Sequence, residues 1–87
     1  MAIMVFAFNI STYADVYLRY YNKDSKTWTF KVKIGGSNKE VTFDSSRTSS
    51  VTINGAYETA EIETECGWVT VSDDDRIEIK DGCIKVN

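Results

Sequence analysis

Thirteen carboxylates in 87 residues are the first groups that could do chemistry. Four of them, Glu58, Glu61, Glu63 and Glu65, crowd the stretch "YETAEIETECGWVTVS" from Tyr57 to Ser72. A glycosidase-like pair would need two carboxyls about 5–9.5 Å apart across a cleft, one of them desolvated. Glu61, Glu63 and Glu65 instead recur at every second position, which places them on one polar strand face if Ala60 and Ile62 face inward. Asp73, Asp74 and Asp75 are contiguous, whereas a calcium loop alternates its acids around a glycine. A weak calcium site in that turn is one reading, and a solvated turn is the other.

The other reactive groups lack helpers. The chain has no histidine, which removes Ser-His and Cys-His pairs, imidazole ligands and the usual base near neutral pH. Ser45, Ser46, Ser49 and Ser50 therefore have no imidazole to activate them. Two cysteines are too few for a structural zinc site, and Gly35-Gly36 lacks the spacing of a phosphate-cradling loop. The sequence implies a non-enzymatic protein with no cofactor.

Recognition chemistry is better represented. In "YADVYLRYY", Tyr17 and Tyr21 flank Arg19 on one strand face, with Tyr13 in the same phase. Tyrosine and arginine are the residues enriched at protein interfaces, and aromatic rings also stack on sugars. Lys31 and Lys33 form a second comb of charge that could face Glu61, Glu63 and Glu65. On adjacent strands the two combs would give cross-strand pairs; on the edges of two copies they would steer self-association.

The elements that must position these groups follow from periodicity. "TWTFKVKI" puts Trp28, Phe30, Val32 and Ile34 on one face, and Val41/Phe43, Val51/Ile53, Ile77/Ile79 and Ile84/Val86 repeat the pattern. Val16, Leu18 and Tyr20 oppose the Tyr17–Arg19–Tyr21 face. Turn signals stand between the runs: "NKDSK", "GGSN", "DSSRTSS", Asn54-Gly55, "SDDD" and Asp81-Gly82. No window carries a capped helical period. The spacing predicts an all-β, small antiparallel β-sandwich of 7–9 short strands, Ig-like, forming one domain over residues 1–87. At Cys66-Gly67 the alternation slips by one residue, which predicts a bulge or a switch between sheets, with Trp68 in the core beyond it.

Composition narrows the partners. Residues 1–55 hold seven basic and four acidic residues, and residues 56–87 hold three and nine. A duplex-binding protein usually has a basic face and a high pI, so nucleic acid is disfavoured. "MAIMVFAF" is too short to span a bilayer and lacks the basic start and cleavage site of a signal peptide. It predicts a strand made in the cytoplasm, apolar on both faces, with Ile3, Val5, Phe6 and Phe8 available to a neighbour. In that setting Cys66 and Cys83 are expected as thiols; an oxidising medium would allow one bridge. Asn9-Ile10-Ser11 also matches a glycosylation sequon.

From Gly67 onward, "GWVTVSDDDRIEIKDGCIKV" resembles the later strands of bacterial and phage Ig-like domains, including the BACON and Big families. Trp68, Val71 and Ser72 match their tryptophan-hydrophobic-x-Val-Ser strand, while Asp73-Asp74-Asp75 replaces the usual glycine-rich turn. The resemblance implies a non-catalytic module: a spacer, a carbohydrate- or surface-contacting domain, or a decoration on a phage virion. The expected function is thus a structural or accessory protein working by protein–protein contact, virion-associated, with self-association as one form of that contact. Its rivals are a carbohydrate-binding module stacking sugars on Tyr17, Tyr21 or Trp68, and a small inhibitor presenting its acidic edge.

Overall fold

In a computed structural model, residues 15–87 are described, and eight strands follow one another without a helix. They are β1 (Val16–Asn22), β2 (Trp28–Ile34), β3 (Ser37–Phe43), β4 (Arg47–Ile53), β5 (Thr59–Thr64), β6 (Gly67–Ser72), β7 (Asp75–Lys80) and β8 (Cys83–Val86). They form two four-stranded sheets, ordered β4-β1-β7-β8 and β3-β2-β5-β6. β1 pairs with β4, β2 with β5, and β5 with β6, all antiparallel, within a small two-sheet β-sandwich.

One pairing departs from the antiparallel expectation. β7 lies parallel to β1, from Leu18 beside Asp75 to Asn22 beside Ile79. β7 is reached from β6 of the other sheet, so no hairpin constrains its direction. The chain crosses into β7 through Asp73 and Asp74, and the Asp74 N–H closes the corner on the Tyr17 carbonyl at 2.7 Å.

The alternation read from the sequence fills the space between the sheets. Val16, Leu18, Val32, Phe43, Ile62, Val71 and Ile79 are fully enclosed, with Phe30, Ile34, Ile53 and Ile77 nearly so. Each such side chain contributes about 1.5–3 kcal/mol on leaving water. Tyr20 meets Phe43 edge-on with ring centroids 4.9 Å apart, and its hydroxyl accepts the Asp44 N–H at 3.1 Å. Val51 and Ile84 are half-buried and Val86 is exposed, because β4 and β8 are sheet edges.

The turns explain the remaining sequence signals. Gly35-Gly36 and Asp81-Gly82 join hairpins with both residues at positive φ, as a tight primed turn requires. Asn54-Gly55 joins no hairpin. It lies on the crossover from β4 to β5, where the Asp15 carboxylate accepts the Gly55 and Ala56 N–H groups.

Cys66-Gly67 is neither a bulge nor a sheet switch. Glu65 and Cys66 are the two loop residues of the β5–β6 hairpin, in which Thr64 pairs with Gly67 and Ile62 with Val69. A two-residue loop sets even positions opposite odd ones, which is the slip seen in the sequence. The Thr64 hydroxyl clasps the turn, donating to the Gly67 carbonyl at 2.8 Å and accepting the Cys66 N–H at 3.0 Å.

Cys66 is joined to Cys83 in a disulfide, with Cα atoms 5.3 Å apart. This corrects the expectation of free thiols. The β7–β8 turn lies against the β5–β6 turn, where the Glu65 N–H donates to the Gly82 carbonyl. The bridge thus ties the β6 edge of one sheet to the β8 edge of the other.

Candidate functional site

The residues singled out in the sequence divide between opposite outer faces of the sandwich. Val16, Leu18 and Tyr20 point inward from β1, so Tyr17, Arg19 and Tyr21 point outward, as expected. Strand geometry places Tyr17 and Tyr21 about 13 Å apart with Arg19 between them. On the β4 side they are lined by Thr52, Ser50 and Thr48, a row of hydroxyls. The β7 side sets Arg76 beside Arg19 and Glu78 beside Tyr21.

Arg19 lies 5.7 Å from the Tyr17 ring centroid, and Lys23 lies 5.8 Å from that of Tyr21 while pairing with Glu78 at 3.2 Å. The Tyr17 hydroxyl is pulled below its ordinary pKa of 10.0, first by hydrogen bonding to Ser50 and then by Arg19. Among the described residues Lys23–Glu78 is the one ion pair within 4.0 Å. Arg19 and Arg76 therefore stand side by side with no carboxylate on either. Like charges directly opposite one another destabilise a sheet. This pair stands among tyrosines and hydroxyls, with Glu78, the carboxylate two residues along β7, engaged by Lys23.

The acidic residues lie across the molecule. Glu61 and Glu63 project from β5 on the outer face of the second sheet, opposite Lys33 and Lys31 of β2. The two combs meet within one chain. Glu65 leaves that comb, because it sits in the hairpin loop. Asp73 accepts the Tyr17 N–H and Asp75 accepts the Ser72 N–H, both at 2.8 Å, so these two aspartates serve the turn.

Trp68 also departs from expectation. It pairs with Glu63, whose side chain points outward, so the indole shares the outer face and is 45% exposed. Val71, with Val69 beside it, takes the inward place. Ile3, Val5, Phe6, Phe8, Tyr13, Ala14 and the Asn9-Ile10-Ser11 sequon lie outside the described residues.

Arg76 was not visible as a partner of Arg19, since nothing local announces a parallel pairing across 57 positions (76 − 19). The flanking hydroxyls were legible only as a generic polar face. Compared with protein-family models, curated proteins and solved structures, the chain matches none.

Proposed function

We propose that this protein is a non-catalytic accessory module of a larger assembly, as a decoration protein is on the capsid or tail of a virion. It docks on a protein partner through the outer face of β1, using Tyr17, Arg19 and Tyr21. The observation that carries this reading is the Arg19–Arg76 pair, unopposed by carboxylate and bordered by tyrosine rings. An acidic group on the partner would sit between the two guanidiniums, relieving their repulsion and accepting their N–H donors. Tyrosine and arginine supply the anchors typical of interface centres. The likeness of Gly67–Val86 to Ig-like modules favours a binding role of this kind. The apolar stretch with Ile3, Val5, Phe6 and Phe8 would add a second contact by strand addition to a neighbour.

Reversing both charges, Arg19→Glu with Arg76→Glu, tests the face in particles reconstituted in the native host. The expected result is loss of the protein from sedimented particles with an unchanged melting temperature. Undiminished co-sedimentation of the folded double variant would refute the assignment. Removing residues 1–10 tests the second contact separately, and normal assembly of the truncated protein would discard it.

A further inference from the structure

The acid that the β1 face would take from a partner can be specified further. The outer side of the β4-β1-β7-β8 sheet carries five bases, Arg19, Lys23, Arg76, Lys80 and Lys85, against the acids Asp15, Asp74 and Glu78, a formal surplus of +2 (5 − 3). Each acid is committed. Asp15 accepts the Gly55 and Ala56 N–H groups, Glu78 pairs with Lys23, and Asp74 faces Tyr17 from the corner between β6 and β7. Lys85 stands beside Glu78, and Lys80 lies at the far end of β7 beside Cys83. Arg19 and Arg76 remain side by side, with no carboxylate within 4.0 Å of either among the described residues.

Their pairing is parallel, so the two side chains leave strands about 4.8 Å apart and lean the same way along them. Both line one open concavity of about 260 Å3, bordered also by Tyr21, Thr48, Glu78 and Asn87. That is below the roughly 300–1,000 Å3 of sites for whole small molecules, and it suits one ionised group presented by a partner. Charge selects the group. Lys23 offsets Glu78, so Arg19, Arg76 and Lys23 leave +2 (3 − 1) facing a ligand. A carboxylate brings a single negative charge, whereas a phosphomonoester brings about −1.5 to −2 at pH 7. Donor geometry selects the same way. A carboxylate's two oxygens are filled by one guanidinium fork, while the three terminal oxygens of a phosphoryl group reach both forks, with the Thr48 hydroxyl at the border.

We infer that the Arg19–Arg76 pair recognises a phosphomonoester, carried as a phosphorylated side chain on the protein partner. The inference rests on the docking role of the β1 face and adds a condition to it. The partner is bound in its phosphorylated form, so attachment is set by a modification of the partner.

The test has two arms. In the first, NMR follows the side-chain N–H resonances of Arg19 and Arg76 as short peptides carrying phosphoserine or glutamate at one position are added, with a single-stranded oligonucleotide run beside them. Saturable shifts with phosphoserine are expected, with the glutamate peptide about tenfold weaker. That gap should narrow between pH 7 and pH 5, as the phosphate passes below its second pKa near 6 and becomes a monoanion. Arg76→Ala should erase the preference for phosphoserine, Arg76→Lys should reduce it, and Lys33→Ala on the opposite sheet should bind as the parent does. Melting temperatures establish that every variant is folded. In the second arm, particles assembled without this protein are treated with phosphatase and washed before it is added, and loss of its binding is expected. The inference is overturned if treated particles still hold the protein, if glutamate binds as tightly as phosphoserine, or if the oligonucleotide binds these arginines more tightly than the phosphoserine peptide. The docking role fails separately, if the folded variant with Arg19→Glu and Arg76→Glu stays on untreated particles.

Discussion

Asn22 is the polar side chain on which the sandwich interior depends most, and its replacement tests how the two sheets are joined. It ends β1 with no solvent exposure. Its amide donates to the Lys26 carbonyl at 3.0 Å and to the Phe43 carbonyl at 3.2 Å, and its oxygen accepts the Asp24 N–H at 2.9 Å. One side chain thereby fixes the β1–β2 turn and the end of β3. Asn22→Ala strands the buried Phe43 carbonyl, at about 1–3 kcal/mol, and loses two part-buried bonds worth about 0.5–1.5 kcal/mol each before water re-enters. A net loss of about 2–4 kcal/mol is expected, a large part of the 5–15 kcal/mol usual for a domain. Asn22→Asp is more informative. Its carboxylate would face two carbonyl oxygens in a closed site, so its folded-state pKa would rise above the unfolded value near 3.9. A raised carboxyl pKa means relative stability is retained below the unfolded pKa and lost as pH rises through the folded one. Urea unfolding of parent and variants at pH 7 and pH 4, compared at each pH, measures both effects. The reasoning is refuted if Asn22→Ala lies within about 0.5 kcal/mol of the parent, or if the Asn22→Asp deficit is the same at both pH values.

Three further outcomes follow from neighbouring features. Reducing Cys66–Cys83, or replacing both residues with serine, opens a loop of sequence separation 17 and should lower stability by about 3 kcal/mol, read from thermal melts with and without reductant. Asp24 takes the Asp81 and Gly82 N–H groups and the Trp28 indole N–H, and the first of these does most to hold its carboxyl below the ordinary 3.8. Its contribution is therefore present above the unfolded pKa and lost as pH falls through the lower folded one, so the melting-temperature gap between parent and Asp24→Asn should narrow on acidification below about pH 4. Gly35→Ala places a methyl group into the Tyr57 ring at φ +57 and should cost about 1–2 kcal/mol by denaturant unfolding.

The strand faces were legible because burial on one side of a pleated strand leaves a period of two. Phe30, Val32 and Ile34 read correctly for that reason, as did the outward Tyr17–Arg19–Tyr21 row. The combs of Lys31/Lys33 and Glu61/Glu63 were visible as combs, but their mutual register is fixed by β2–β5 pairing between distant segments. Trp68 misled because its size suggested the core, while the two-residue loop before it set its phase outward. The disulfide was out of reach of spacing: Cys66 and Cys83 meet only because two hairpin turns stack end to end. The Arg19–Arg76 pair was hidden for a similar reason, as a parallel neighbour far along the chain leaves no local trace.

The placement of β1 between β4 and β7 governs the order in which this protein can be built. β1 is the first of the described strands to be made, and on one side it finds β4 soon after. Its other side has no partner until β7 arrives, and the corner that seats β7 joins Tyr17 to Asp73 across 56 residues. Such distant closure slows folding. During synthesis the nascent chain would carry Leu18 and Tyr20 in a half-built sheet with one open edge, unable to finish until its last hairpin has emerged.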